Sequence, residues 1–485
     1  MRAGEWLIAV AILCGVGIAT WMAWPFTVDD AWIIARIAQN IAEGNGYAFN
    51  AGQPSDGVTG PLWLLPLVLA QWAHLPPVVV AKAAGLLCTL IAIVVALRWG
   101  LAHSLSRQGM WIGLGAIVVQ GNVWIWSVSG LETGAATLCV TVAMTSALWP
   151  GAVRTWPLAI AVLSVPWLRP EALVIAGVAV TITLVRRPLK GVIALTGIVI
   201  GAITVCIFRG VMFEHWLPLS VYAKPASSWY AVQYVWLGIL ILTSGFGAVL
   251  VAGLAVRGEP PFRLVAVGIA AHLLAIMLGG GDWMPGFRLL VPVLPLYGLL
   301  VGAGWEKLHH KHLAVAYTLV TLIAVVPTLD SVVQLPRVHE AGRLQRIRGP
   351  MLGDWLQDHV KSAALVDVGL VGFKRPLELI DLVGLTDETI AFSRGLYLAK
   401  RIDVAYLALR RPDAIVLRLG AWNPNWGWGV PPDAFQSFTE AWLFAEPWVR
   451  RHYRLAKVIT YTYRYHYLVL LKRDEPQAIA ALAID

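Results

Sequence analysis

Acidic and basic side chains stand at separated points of a chain that is otherwise mostly apolar. Asp29 and Asp30 form an acid pair directly after the first apolar run. The other conspicuous residues follow later apolar runs, and they are Glu132, Arg169, Glu171, His215, Lys224, Asp282, Trp283 and Arg288. A carboxylate can act as a general base, and cations can bind a phosphate and stabilise it as a leaving group. The set of residue types therefore indicates group transfer from a phosphate-bearing substrate.

The distribution of charge divides the chain into two parts. Charged residues make up 13 % of the 485 residues, whereas soluble domains carry about 25 %. Residues 1–329 hold 28 of the charged residues and residues 330–485 hold 37. We therefore expect a membrane domain over 1–329 and a water-exposed domain over 330–485. The basic residues form no stripe with interleaved aromatics, so nucleic acid is not expected as a partner.

The apolar runs predict a polytopic α-helical membrane protein with about eleven transmembrane helices, the first of them retained rather than cleaved as a signal peptide. The eleven runs cover residues 6–25, 78–98, 111–128, 132–149, 156–169, 171–186, 191–212, 233–256, 264–280, 288–305 and 312–328. The run 61–75 is short and contains Pro66. If it does not cross, most Lys and Arg of the loops lie on one side. The positive-inside rule then places the N-terminus inside and residues 330–485 outside.

This topology places all of the conspicuous polar residues on the outer side of the membrane. Charges at a membrane boundary are costly unless they are paired or solvated. Their convergence predicts an outward-facing polar cavity beneath the C-terminal domain. Two simpler interpretations stay open. Each residue could be an ordinary interfacial one, and the cations could form salt bridges with Glu132, Glu171 and Asp282 instead of binding a phosphate.

The first outer loop, residues 26–77, contains two further predicted elements. Residues 31–41 have the pattern of an amphipathic helix, with Arg36 and Asn40 among the polar residues, and we expect this helix to lie in the membrane interface. The run 61–75 would be a second interfacial or re-entrant element. Packing of the helix 31–41 and of the run 61–75 against the core of the protein is an alternative that is compatible with both interpretations. Further along the chain, the apolar runs 363–368, 414–417 and 467–471 and the amphipathic stretch 350–361 predict an α/β domain.

Several motifs resemble those of the GT-C glycosyltransferases, in particular the bacterial arabinofuranosyltransferases of the mycobacterial terminal arabinosyltransferase group. In the first outer loop they are Asp29-Asp30-Ala31-Trp32-Ile33, Glu43-Gly44-Asn45-Gly46-Tyr47 and Gly57-Val58-Thr59-Gly60-Pro61-Leu62-Trp63. Later ones are Ser129–Glu132, Arg169-Pro170-Glu171, Leu217-Pro218 with Lys224, 280–288 (GGDWMPGFR), Asp367-Val368-Gly369 and 380–385 (IDLVGL). The resemblance spans roughly residues 25–390.

The resemblance implies a GT-C fold and an inverting transfer of a sugar, arabinofuranose in this group, from a polyprenyl-phosphate donor such as decaprenyl-phosphoryl-arabinose. It places the enzyme in the bacterial cytoplasmic (inner) membrane and assigns it to cell-envelope biogenesis. The acceptor would be an extracytoplasmic hydroxyl of a cell-envelope glycan or a protein. Leu219 stands where the family pattern often has Asn. This departure leaves the acceptor open, and to some extent the sugar.

The resemblance also suggests roles for the candidate residues. Asp29 would be the catalytic base, with Asp30 as a neighbouring donor or metal contact. Lys224, Arg288 and Arg169 would bind the donor phosphate. The remaining candidates would contact substrate, and they are Glu132, Glu171, Asp282, His215 and Trp283. Ca²⁺ or Mg²⁺ at Asp29 and Asp30 is a possible addition, since both ions prefer carboxylate oxygens.

Two other classes of function fit parts of the pattern. A secondary transporter or flippase would carry ionisable groups near the membrane midplane, where His272 is the one clear example and is more simply a packed residue. A non-catalytic sugar-binding subunit would use the C-terminal domain as its binding module. The Trp-rich segment 421–428 could stack on an acceptor glycan or anchor the domain at the membrane surface.

Overall fold

The computed structural model describes residues 3–224, 228–243, 259–282, 284, 286–309 and 313–473. These residues form two compact units. The first contains the described residues within 1–31, 59–216 and 226–343, and the second contains those within 32–58, 217–225 and 344–485. The second unit thus combines the C-terminal residues with one segment of the first outer loop and one later loop. Trp283, a predicted substrate contact, lies outside the described residues.

The first unit is built from helices. Its helices are α1 (Ala3–Ala23), the first turn of α2 (Asp29–Ala42), α3 (Leu64–Trp72), α4 (Pro77–Ala102), α5 (Arg107–Val118), α6 (Gly121–Ser127), α7 (Thr133–Ala147), α8 (Thr155–Ser164), α9 (Leu173–Arg186), α10 (Pro188–Phe213), α12 (Ser228–Thr243), α13 (Pro260–Leu278), α14 (Leu294–His309) and most of α15 (Leu313–His359). Short 3₁₀ segments are interposed at Pro61–Trp63, Val165–Trp167, Pro170–Ala172 and Arg288–Val293.

Five of the described helical segments are long and apolar enough to cross a membrane. They are Gly4–Ala23, Pro77–Ala102, Pro188–Phe213, Pro260–Leu278 and Arg288–Lys307. The pair α5 and α6 passes the same test together but is bent by 65°. Shorter apolar helices cover Pro61–Trp72, Thr133–Ala147, Thr155–Trp167 and Tyr230–Leu240. The protein is a helical membrane protein, and the number of eleven spans stays a prediction.

Small residues allow the helices of the first unit to approach one another closely. A Cβ on Gly134 of α7 would overlap the carbonyl oxygen of Gly85 on α4, and one on Gly298 of α14 would meet the carbonyl oxygen of Gly113 on α5 at 2.8 Å. Such contacts are typical of helix packing in membranes, where backbone approach provides the dispersion contacts. The α4–α7 contact matters for the site because Ser129, Gly130 and Glu132 directly precede α7.

A five-stranded sheet forms the core of the second unit. Its strands are β3 (Ser362–Leu365), β4 (Glu378–Asp381), β5 (Ala414–Leu419), β6 (Tyr453–Thr462) and β7 (Tyr465–Lys472), in the order β4-β3-β5-β7-β6. Strand β3 pairs in parallel with β4 and β5, and β7 pairs antiparallel with β5 and β6. The predicted apolar runs coincide with β3, β5 and β7, which confirms the expected α/β domain.

Helices and a small hairpin complete the second unit. The helices are the rest of α2, α11 (Leu219–Ala223), the end of α15, α16 (Val368–Gly372), α17 (Glu388–Ala391), α18 (Val404–Arg410), α19 (Phe438–Ala445) and α20 (Pro447–His452). The hairpin consists of β1 (Ala48–Asn50) and β2 (Gln53–Pro54). Trp422, Trp426 and Trp428 pack partly buried against the apolar core of this unit.

Helix α2 confirms the predicted helix over residues 31–41, and its buried side chains include polar ones. Ile33, Ile34 and Ile37 are buried, as an apolar face requires. Arg36 and Asn40, two of the polar residues of this helix, are also buried. Both side chains donate hydrogen bonds to backbone carbonyl groups, including that of Phe49, and this burial agrees with core packing, the alternative left open for this helix.

Candidate active site

The backbone between α1 and α2 is held by neighbouring elements of the first unit. The Lys82 ammonium group donates hydrogen bonds to the carbonyl oxygens of Trp24 at 2.7 Å and Phe26 at 2.5 Å. Gly130, at φ +93°, lies where a Cβ would stand 2.8 Å from the Ala31 Cβ. A side chain at Gly130 would therefore displace the first turn of α2. These contacts fix the backbone that carries the acid pair.

Asp29 and Asp30 form the first turn of α2. Both are partly buried. Carboxylates are stabilised at a helix N-terminus by the unpaired N–H groups and the helix dipole. The acid pair therefore sits at a defined helix end and retains access to solvent, which a general base requires.

Arg288 and Asp282 form a buried bidentate ion pair. Arg288 Nε donates to Asp282 Oδ2 at 2.7 Å, and Nη2 donates to Oδ1 at 3.2 Å. The Arg288 guanidinium carbon also lies 5.6 Å from the centroid of the Trp126 ring. Trp126 in turn donates from Nε1 to the carbonyl oxygen of Gly286, at 3.1 Å. Asp282, Gly286 and Arg288, three described residues of this motif, are thus linked to one another through their contacts with each other and with Trp126.

Arg169 connects two glutamates. Its Nε lies 2.7 Å from Glu132 Oε1, and its Nη1 lies 3.3 Å from Glu171 Oε1. The side chains of Arg169 and Glu132 are almost fully buried, whereas that of Glu171 is 17 % exposed. Salt bridging, one of the alternatives left open by the sequence, is thus the observed state of both Arg169 and Arg288.

The two ion-pair groups and the acid pair belong to one electrostatic neighbourhood of the first unit. Asp30 and Glu132 interact with the Arg288 guanidinium in addition to Asp282. Arg288 thus interacts with three carboxylates that come from different segments of the chain, Asp30, Glu132 and Asp282.

The remaining predicted residues occupy other positions. His215 is buried in the first unit, where its ring stacks on Phe213 with centroids 5.9 Å apart. Lys224 belongs to the second unit, and its ammonium group lies 5.0 Å from the Tyr397 ring centroid. Helix α11, which precedes Lys224, is held by a hydrogen bond from the Leu219 N–H to Asp56 Oδ2 at 3.3 Å.

Two buried cations in apolar helices were missed by the sequence reasoning. Lys82 lies in α4, and Arg209 lies in α10, where its Nη2 donates to the carbonyl oxygen of Thr59 at 2.7 Å. A lone charge within a long apolar run was the available signal, because such a charge is costly unless it has a partner. His272, in contrast, is a packed residue as expected, with Nε2 2.9 Å from the carbonyl oxygen of Leu289.

Among the described residues, no group of three or more His, Cys, Asp and Glu side chains has an arrangement that could hold a metal ion. Binding of Ca²⁺ or Mg²⁺ at Asp29 and Asp30 stays a prediction. An apolar cavity of about 660 Å³ is lined by side chains of α1, α5 and α15. Its lining contains none of the predicted site residues.

Comparison with known proteins adds sequence relationships. Residues 337–471 match the model of a family described as a domain of unknown function, DUF8728. The terminal beta-(1->2)-arabinofuranosyltransferase of Corynebacterium glutamicum is 27 % identical over an alignment of 385 residues, which covers 61 % of this chain and 52 % of that protein. The chain therefore spans about half the length of this curated relative.

Two solved structures have the same fold. ArnT from Cupriavidus metallidurans bound to undecaprenyl phosphate aligns with a TM-score of 0.60 at 13 % identity and covers 96 % of this chain and 98 % of its own. The same protein in the apo state gives a TM-score of 0.59 at 14 % identity, with 97 % and 98 % coverage. The chain therefore has the fold of ArnT, the GT-C fold expected from the resemblance, and its sequence is similar to that of a terminal arabinofuranosyltransferase.

Proposed function

We propose that the protein is a membrane glycosyltransferase that moves arabinofuranose from a polyprenyl-phosphate donor to a hydroxyl of a cell-envelope acceptor. The sequence similarity to an arabinofuranosyltransferase supports the sugar. The fold shared with a protein bound to undecaprenyl phosphate supports the class of donor. We place the reaction on the outer face of the bacterial cytoplasmic membrane, with the N-terminus inside, on the distribution of Lys and Arg among the loops.

The acid pair at the start of α2 carries this proposal. In the reaction, Asp29 accepts the proton of the acceptor hydroxyl as its oxygen attacks the anomeric carbon. The bond between that carbon and the phosphate oxygen breaks, the anomeric configuration inverts, and polyprenyl phosphate leaves. Asp30 interacts electrostatically with Arg288. A base and a cation are therefore available in one neighbourhood, as a transfer that generates an anionic leaving group requires.

The contacts of the cations suggest that each has a different role in the reaction. Arg169 is bound to Glu132 and Glu171, and we assign it the orientation of these carboxylates toward sugar hydroxyls rather than phosphate binding. Arg288 engages Asp282 through Nε and Nη2, so in the proposal its third nitrogen, Nη1, binds the phosphate. Lys224, whose ammonium group lies 5.0 Å from the centroid of the Tyr397 ring, stays a predicted phosphate ligand.

The proposal is tested with the purified protein in lipid nanodiscs, a synthetic polyprenyl-phosphoryl-arabinofuranose and a short arabinan acceptor. Mass spectrometry should detect an acceptor longer by one pentose, together with released polyprenyl phosphate in equal amount. A transporter would move the lipid-linked sugar across liposomes without releasing polyprenyl phosphate. A sugar-binding subunit would bind acceptor without turnover. Either result would contradict the proposal.

A further inference from the structure

Arg36 is a buried arginine whose guanidinium donates hydrogen bonds to backbone carbonyl groups. Its Nε donates to the carbonyl oxygen of Phe49 at 2.7 Å, Nη1 to that of Gly372 at 3.1 Å, and Nη2 to that of Leu377 at 2.6 Å. The guanidinium also lies 4.4 Å from the centroid of the Phe49 ring. Within the described part of the chain no carboxylate forms an ion pair with it, and burial lowers its pKa to about 10.

Asn50 forms a second link between the same two segments. Its Oδ1 accepts a hydrogen bond from the Leu379 N–H at 3.0 Å, and its Nδ2 donates to the Leu379 carbonyl oxygen at 2.9 Å. Leu379 lies on β4, an edge strand of the sheet. An edge strand presents N–H and C=O groups that a neighbouring strand would pair. The Asn50 amide therefore takes the place of one residue of a neighbouring strand.

The position of Arg36 on α2 relates these contacts to the acid pair. Arg36 follows Asp29 by seven positions, which is about two helical turns, so both residues lie on nearly the same face of α2. Holding the Arg36 guanidinium at three carbonyl groups fixes the rotation of α2 about its own axis. The direction of the Asp29 side chain follows from that rotation.

Stability alone does not account for this arrangement. Burial of a charge without an opposite charge lowers the free energy of unfolding relative to an apolar side chain of similar size. A leucine or methionine at position 36 would fill the same space without that cost. The directional contacts of the guanidinium are what an apolar side chain would lack.

We propose that the C-terminal domain, which matches a family of unknown function, holds the first-loop segment 36–50 in place, and that Arg36 and Asn50 are positioning residues for the acid pair. The contacts of Arg36 and Asn50 with Gly372, Leu377 and Leu379 are called the seat of this segment. The catalytic part of this inference rests on the proposed function. The seat itself does not, because it consists of contacts within the second unit.

Substitutions of two glycines, one of them a control, test the inference together with Arg36→Lys. A Cβ on Gly372 would overlap Arg36 Nη1, so Gly372→Ala should displace the guanidinium. A Cβ on Gly353 would overlap the guanidinium of Arg375, which pairs with the exposed Asp354, so Gly353→Ala is the matched control. We expect kcat to fall about tenfold or more in Gly372→Ala and Arg36→Lys, with the donor KM changed by less than about twofold. Gly353→Ala should retain wild-type kcat.

Hydrogen exchange of the full-length variants separates the seat from the reaction. Peptides covering 29–42 and the amide of Leu379 should exchange faster in Gly372→Ala and Asn50→Ala than in the wild type and Gly353→Ala. If the wild type transfers no sugar, the proposed function fails and this exchange still decides the seat. Wild-type exchange over 29–42 in both variants would overturn the inference. In an active enzyme, wild-type kcat in Gly372→Ala and Arg36→Lys would overturn it as well.

Discussion

Arg288 holds Asp282 through two hydrogen bonds, Nε to Oδ2 at 2.7 Å and Nη2 to Oδ1 at 3.2 Å, and both side chains are at least nine-tenths buried. Bidentate pairing fixes the plane of the guanidinium as well as its position. Since the pair lies close to Asp30 and Glu132, it holds a cation in place within an acidic neighbourhood. The geometry explains why the motif 280–288 contains both an acid and a cation.

Loss of Asp282 should destabilise the protein strongly. Asp282→Ala leaves the Arg288 charge buried without its partner, and we expect the free energy of unfolding to fall by about 3–5 kcal/mol. Asp354→Ala is the control, because it removes the exposed partner of Arg375 and should cost less than about 1 kcal/mol. Thermal or denaturant melts of the two variants measure the difference. Equal losses in both would contradict a buried role for the Arg288–Asp282 pair.

Arg169 should affect binding of the sugar through its two glutamates. In Arg169→Lys the charge is retained, but a single ammonium group cannot hold Glu132 and Glu171 in the same fork geometry. We expect the donor KM to rise about tenfold. Arg343→Lys, in an exposed pair with Glu340, should leave KM unchanged. Initial rates over a range of donor concentrations test this, and a wild-type KM in Arg169→Lys would exclude the orienting role.

Lys82 should control the geometry of the acid pair without contacting substrate. Lys82→Met retains most of the side-chain volume and removes the hydrogen bonds to the carbonyl oxygens of Trp24 and Phe26. Because those carbonyl groups lie just before α2, kcat should fall while donor affinity stays near the wild-type value. Timed transfer assays measure kcat, and binding of the donor to the protein in nanodiscs measures the donor affinity. A variant with reduced affinity and unchanged kcat would show that Lys82 acts elsewhere.

Asp381 should make stability depend on pH. Burial raises the pKa of Asp381 from 3.8 to about 6, although its carboxylate accepts hydrogen bonds from the N–H groups of Val383 and Thr386. Between these two pKa values the folded state binds more protons than the unfolded state. This group's contribution to the free energy of unfolding therefore decreases as pH rises from about 4 to 6, by roughly 3 kcal/mol at most.

Asp381→Asn removes this titration. Subtracting the melting temperatures of the variant from those of the wild type, measured from pH 4 to pH 7, isolates the contribution of Asp381. The difference should decline as pH rises from about 4 to about 6 and then level off. A difference that stays constant or increases over this range would contradict a raised pKa.

Local pattern was enough to predict part of the fold and to select the residues of the candidate site. Strands β3, β5 and β7 coincide with apolar runs, because a strand buried in a mixed sheet is apolar along its length. Asp29, Arg169, Asp282 and Arg288 were identified because charges are scarce in apolar sequence. Their ion pairs were among the alternatives that residue types alone allowed.

Other features depend on contacts that no local pattern specifies. Arg36 resembles a residue on the polar face of an amphipathic helix, yet it is buried because Phe49, Gly372 and Leu377 present their carbonyl groups to it. The partner carbonyls of Gly372 and Leu377 lie more than 300 residues away in the chain. The exposure of a helix face is set by such tertiary contacts, so periodicity alone predicted the helix and left its environment open.

The most direct test of the account is single-turnover transfer from polyprenyl-phosphoryl-arabinofuranose by the wild type, Asp29→Asn and Asp30→Asn. A general base acts on the acceptor hydroxyl only in the transition state, so its loss should lower the rate and spare donor binding. The account predicts that Asp29→Asn slows transfer by at least about 100-fold while its donor Kd stays within about twofold of the wild type. Wild-type transfer rates in both variants would contradict it.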